Sequence, residues 1–277
     1  MDFCELIKKY AESLAYEEKS GNTTEKYIRD VSFFARWLGD GELTKAALID
    51  YKAYLCGKYA PASANSVISS LNSFFAFCGR HDLRIKTLKI QRRIFSDKDR
   101  ELTGDEYMRL LTAAKSRNNR RLYYVLQTLC SCGLRVSELR FITVESVING
   151  EADINCKGKM RTVFLPRKLC EMLRKYMKKN GIRSGSVFVT RGGKPLDRSY
   201  IWKMMKSLCA DAHVAAAKVF PHNLRHLFAR TYYSVQKDVV RLADILGHSS
   251  INTTRLYTVE SGDVHRRQIQ TLGLLMC

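Results

Sequence analysis

Apolar residues over positions 1–90 recur at helical rather than strand spacing. Phe3, Leu6, Ile7, Tyr10 and Leu14 share one face. Tyr27, Val31, Phe34 and Leu38 then recur at i, i+4, i+7 and i+11, and the Asn22–Glu25 spacing before them predicts a capping box. Leu48, Tyr51 and Leu55 mark a third helix. Pro61 suits the first turn of a fourth, with Val67, Leu71, Phe74 and Cys78 as its predicted buried stripe. The aromatics fall on the periodic faces and read as core rather than as a base-stacking platform. The other face of the fourth helix carries Ser63, Asn65, Ser66, Ser69, Asn72 and Ser73. Such short hydrogen-bonding side chains suit phosphate and sugar contacts, or equally an ordinary solvated face.

Positions 91–100 are charged and lose the periodicity, which predicts an interdomain linker between residues 1–90 and a second domain at 101–277. Thr103 and Glu106 predict a capped helix start. Residues 152–155 and 162–165 flank Lys157-Gly158-Lys159 and predict a β-hairpin, and residues 187–190 predict a further strand before Gly192-Gly193. The expected fold is mainly α with a small β-sheet: a helical N-terminal domain followed by an α+β domain that ends in an apolar tail (Ile269, Leu272, Leu274, Leu275).

Charge changes the picture more than hydropathy does. Lys and Arg total 47 against 27 Asp and Glu, a net +20. That excess favours a polyanionic partner, because neutralised phosphates release condensed counterions. Basic side chains show no polybasic run beside a lipid anchor, and no apolar run approaches the roughly 18 residues of a membrane span. Nucleic acid is therefore expected ahead of membrane. The nine cysteines are scattered without zinc spacing or a disulfide framework. With no basic-then-apolar leader, the chain is expected in the cytoplasm.

Candidate chemistry gathers in three places. Arg135 follows Gly133, which allows a tight helix entry, and a guanidinium there offers a planar fork to phosphate oxygens. Glu138, three residues on, could orient it or form only a surface ion pair. His222 and Arg225 share that spacing after Pro221, so an imidazole and a fixed cation project from one helix face. His226 is expected to face elsewhere. His248 follows Leu246-Gly247, and Tyr257 comes later. Free phenol has a pKa of about 10, so it attacks only if surrounding cations stabilise its anion.

Cys132-Gly133-Leu134-Arg135-Val136-Ser137-Glu138-Leu139, Pro221-His222-Asn223-Leu224-Arg225-His226 and the stretch from Leu246 to Tyr257 occur in the order found in tyrosine recombinases, the site-specific integrases, and the chain resembles that family over about its last two-thirds. The resemblance implies a SAM-like core-DNA-binding domain followed by the recombinase catalytic domain. It implies Tyr257 as the nucleophile that forms a 3′-phosphotyrosine, Arg135 and Arg225 as clamps on the non-bridging oxygens, and His248 as a hydrogen-bond donor to the phosphate. His222 would act as general base or share its proton with a phosphoryl oxygen. The segment from Cys156 to Pro166 is similar to the family's lysine hairpin, although a cysteine replaces the usual first glycine and the turn is about one residue short. Lys157 is the implied general acid, with Lys159 as the alternative.

The resemblance further implies catalysis without metal or other cofactor. It also implies double-stranded DNA sites paired by a homo-tetramer through a Holliday junction, and admits accessory DNA-bending proteins. The apolar tail would dock on a neighbouring protomer or fold back on its own domain. A length of 277 residues leads to the expectation of no added arm-binding domain and of a likeness to compact Xer-like recombinases. Three other readings compete: a type IB topoisomerase, a DNA-binding regulator that kept the fold, and a metal-dependent nuclease. The last lacks the carboxylate cluster that two metals require.

Overall fold

The computed structural model describes residues 3–90, 98–156, 159–248, 250, 251, 253, 254 and 270. It divides into two compact units, residues 1–92 and 93–277.

The first unit holds four helices, α1 (Phe3–Tyr16), α2 (Gly21–Leu38), α3 (Lys45–Lys58) and α4 (Pro61–Phe77). Their inward stripes meet on Phe34, whose ring stands edge-on to Phe3, Tyr51 and Phe75. α2 starts earlier than the Asn22–Glu25 pattern predicts: Ser20 is its N-cap and makes no side-chain cap bond. On α4 the buried positions are Ala64, Ile68, Ser70, Leu71, Phe74 and Phe75, while Val67 and Cys78 are only half-buried. The stripe is thus rotated by about one residue, because the face must also cover Lys26, Asp30 and Ser70. Lys26 Nζ donates to Asp30 at 2.7 Å and to Ser70 Oγ at 2.8 Å, so these polar groups satisfy one another inside the bundle.

The polar face of α4 is only partly solvated. Asn65 donates to the Leu88 carbonyl at 2.9 Å and accepts from its N–H at 2.7 Å. Asn72 does the same for Ile85, at 2.9 and 3.0 Å. Each amide thereby stands in for a strand partner to the segment that leaves the domain. These two side chains are structural rather than available to phosphate, which corrects the expectation for them.

In the second unit α5 (Gly104–Ser116) begins with the predicted capping box of Thr103 and Glu106. α6 (Arg120–Ser131) runs through the core, with Leu122, Val125, Leu126 and Leu129 completely buried. A 3-10 turn (Val136–Phe141) and α7 (Val144–Asn149) lead to β1 (Glu151–Cys156) and β2 (Lys159–Phe164). The two strands pair antiparallel from Glu151 opposite Phe164 to Cys156 opposite Lys159. Then follow α8 (Arg167–Asn180), α9 (Arg198–Ser207), α10 (Pro221–Gln236) and α11 (Val239–Leu246). The predicted strand at 187–190 does not form one: its ladder reduces to single bridges, Thr143 with Ser186 and Val189 with Pro195. A core run of Val187 and Phe188 is too short to tell strand from buried loop by pattern alone. Among the described residues no helix is long and apolar enough to cross a membrane.

Candidate active site

Arg225, on the first turns of α10, is the largest fully buried side chain among the described residues. Burying a permanent cation is costly unless its donors are met. Here Nη1 donates to the Gly133 carbonyl at 2.7 Å and Nη2 to the Leu246 carbonyl at 2.6 Å. Both acceptors lie where a helix ends, just past α6 and in the last turn of α11. Helix C-termini present unpaired carbonyls and partial negative charge, so two of them make a natural seat for a guanidinium.

Glycine is required at both ends. Gly133 has φ +60°, and a Cβ there would lie 2.5 Å from the Phe228 ring. Gly247 has φ +62° and faces the Arg161 side chain as closely. Gly133 therefore ends α6 in a left-handed turn instead of opening a helix, and Arg135 sits at the N-cap of the 3-10 turn that follows.

Glu138 ties the cluster together. One carboxylate oxygen accepts from Arg135 Nη1 at 2.8 Å, and the other accepts from the Arg135 N–H and from Arg161 Nη2, each at 2.7 Å. Arg225 Nη1 stands 3.9 Å from it. At 1% exposure, Glu138 makes no ordinary surface ion pair. Burial alone would raise its pKa, but the Arg135 N–H and the charges of Arg161 and Arg135 outweigh it and hold the carboxyl below its usual value. Three guanidiniums against one carboxylate leave a net +2. The arginines are not equivalent: the Arg135 side chain is 40% exposed and Arg225 0%. Arg135 is the tip a solvent-borne anion meets first.

Two imidazoles flank the arginines. His248 Nε2 lies 2.9 Å from Arg225 Nη2, and its Nδ1 lies 2.8 Å from Thr254 Oγ1. Since the guanidinium only donates, Nε2 accepts and Nδ1 carries the proton, donated to Thr254. His222 is more exposed, on the second residue of α10. Partial desolvation, then Arg225, Arg135 and Arg198, lower its pKa. His226 does not face elsewhere as expected. Four residues on along a helix is the same face, and its ring meets that of His222 edge-on with centroids 4.5 Å apart.

Desolvation and then the charge of His222 push His226 to about 4, and desolvation and then Arg225 push His248 to about 4. The unfolded chain binds protons near the ordinary 6.5 that the folded one refuses. Stability is therefore full above about pH 6.5 and falls as pH drops towards about 4. The thermal midpoint should decline across that window, and less steeply in His226→Gln. Identical slopes for the two proteins would contradict the assignment.

Arg135, Arg225, His222 and His248 thus converge, whereas Tyr257 and Lys157 lie outside the described residues. Arg161 is a member of the cluster that the motifs do not single out. Its signal was present: with Val163 inward, strand alternation places Arg161 inward too. Among the described residues no group of three His, Cys, Asp or Glu side chains is placed to hold a metal ion.

Comparison with known proteins gives this geometry its context. Residues 100–262 match the phage integrase family, and residues 7–81 match the phage integrase N-terminal SAM-like domain. The tyrosine recombinase XerA of Thermococcus kodakarensis is 30% identical over 98% of this chain and 96% of its own length. The tyrosine recombinase XerD of Xanthomonas campestris pv. campestris is 31% identical over 97% and 90%. A lambda integrase tetramer bound to a Holliday junction is similar in fold, with a TM-score of 0.74 at 19% identity, covering 91% of this chain and 76% of that one. On these matches the chain belongs to the phage integrase family, the tyrosine recombinases.

Proposed function

We propose that Tyr257 of this site-specific recombinase attacks the scissile phosphate of double-stranded DNA. The observation that carries the reading is the net positive cluster of Arg135, Arg161 and Arg225 around buried Glu138, with His222 and His248 at its edge. The Tyr257 Oη–P bond forms and the P–O5′ bond breaks, leaving a 3′-phosphotyrosine and a 5′-hydroxyl. The phenolic proton passes to His222 or to a phosphoryl oxygen, and Lys157 supplies the proton to the departing O5′. Arg135 and Arg225 stabilise the charge that grows on the non-bridging oxygens, a preorganised field of the kind that often dominates catalysis. His248, whose Nε2 accepts from Arg225 and whose Nδ1 proton goes to Thr254, serves in this reading by bracing the Arg225 guanidinium rather than by donating to the phosphate. A 5′-hydroxyl from another strand reverses the step, so the phosphodiester bond energy is retained and no ATP is consumed.

The test is a nicked duplex whose cleaved end diffuses away, incubated with protein in EDTA. A covalent protein–DNA adduct is the expected product. Tight binding without any adduct would favour a silent DNA-binding regulator, and relaxation of supercoils without exchanged products a type IB topoisomerase.

Four copies acting on two paired sites, through a Holliday junction in the cytoplasm and with DNA-bending proteins as accessories, complete the reading. An apolar groove of about 540 Å³ beside α10, lined by Tyr107, Met108, Leu227, Phe228, Tyr232 and Val235, supports assembly. Its occupant in this reading is the apolar tail of a second copy. Removing residues 263–277 should leave single-site binding intact and abolish the paired-site complex in sedimentation. A paired complex that survives truncation would reject the groove as the docking point.

A further inference from the structure

Arg161 is a cation on the wrong side of an amphipathic strand. Along β2, Met160, Thr162 and Phe164 face outward, while Arg161 and Val163 face the core. Their cross-strand partners are Ile154 and Ala152, both buried. An arginine in that position, only 12% exposed, persists only if several partners meet it.

The partners come from two other segments. Nη2 donates to Glu138 at 2.7 Å, and Nη1 donates to the Ile245 carbonyl in the last turn of α11. The aliphatic stem packs against Gly247 so tightly that a Cβ there would stand 2.4 Å from Cδ. One side chain therefore joins the strand leaving the hairpin turn, the carboxylate that orients Arg135, and the turn that leads into His248. Glu138 divides its oxygens accordingly, one to the Arg135 guanidinium and the other to Arg161 and the Arg135 N–H.

We propose that Arg161 is a positioning residue for DNA cleavage, fixing the β1–β2 hairpin to the arginine clamp so that the hairpin's proton donor meets the departing 5′ oxygen. This rests on the reading of Lys157 as general acid. Arg161 itself transfers no proton and need not touch DNA. It sets where β2 lies relative to Glu138 and α11. A purely structural role would instead cost stability and slow every substrate alike.

The leaving group separates the two. An alkoxide needs a proton to depart, whereas a thiolate, with a thiol pKa of about 8.5, does not. Single-turnover adduct formation is measured on the nicked duplex that wild-type protein selects from a random-sequence pool. One version carries oxygen and the other sulfur at the bridging 5′ position of the scissile phosphate. Arg161→Met should slow the oxygen substrate about 10²-fold, within the range of a general-acid contribution, and restore most of that on sulfur. Lys157→Ala should show the same selective rescue.

Rescue of Lys157→Ala without rescue of Arg161→Met overturns the inference and leaves the general acid standing. A Lys157→Ala variant that sulfur fails to rescue overturns the general-acid reading and the inference with it. Oxygen cleavage by Arg161→Met at the wild-type rate also overturns the inference. If that variant does not fold, Arg161→Gln is judged by the same criteria, since its shorter amide cannot span Glu138 and Ile245 together.

Discussion

Tyr257→Phe is expected to bind the recombination site as wild-type protein does and to form no covalent adduct, a loss of at least about 10⁴-fold in cleavage rate. The substitution deletes one oxygen, keeps the ring and leaves the chain's charge unchanged. Affinity for DNA is set mainly by lysine and arginine contacts to phosphate, none of which the change touches. A phenol near pKa 10 attacks slowly unless its anion is stabilised, and in the proposed mechanism the arginine cluster supplies that field. Gel shift and adduct trapping on the same duplex read the two quantities separately. The chain has 14 tyrosines, so an adduct that persists in the phenylalanine variant would point to another of them.

Arg225→Met should have the second largest effect, and it should be double. Removing the buried charge takes away transition-state stabilisation worth about 10²–10³ in rate. It also strands the Gly133 and Leu246 carbonyls, which now lack their donor, inside the protein. Each buried acceptor left without its donor costs about 1–3 kcal/mol, which guanidinium unfolding would register directly. Arg135→Met is the control. Its side chain is partly exposed and Glu138 keeps Arg161, so cleavage should fall comparably with little loss of stability. Equal stability losses in the two variants would refute the distinction between a seated and a presented arginine.

The elements were legible where periodicity was long or a cap was explicit. α1 to α4 followed from their apolar spacing, and the start of α5 from Thr103 and Glu106. The Arg135–Glu138 and His222–Arg225 pairs followed from helical neighbour distances. What stayed hidden was tertiary. Glu138 looked like the partner of one arginine because nothing local shows that Arg161 and Arg225 arrive from elsewhere in the chain. Asn65 and Asn72 looked like surface amides because their true partners, the backbones of Leu88 and Ile85, lie beyond the end of their own helix. His226 was legible in principle, because four residues along a helix return to the same face as His222.

The seat of Arg225 has a consequence for an enzyme that cuts DNA. Its two carbonyls come from the ends of α6 and α11, its guanidinium from α10, and the carboxylate beside it from the 3-10 turn after α6. No fragment of the domain carries more than a piece of that set, and each buried piece is unfavourable without the others. A nicked, half-folded or partly degraded molecule thus loses the cutting site before it loses its positive charge. It could still cling to DNA, but without the means to sever it: a fail-safe built from the cost of leaving a charge alone.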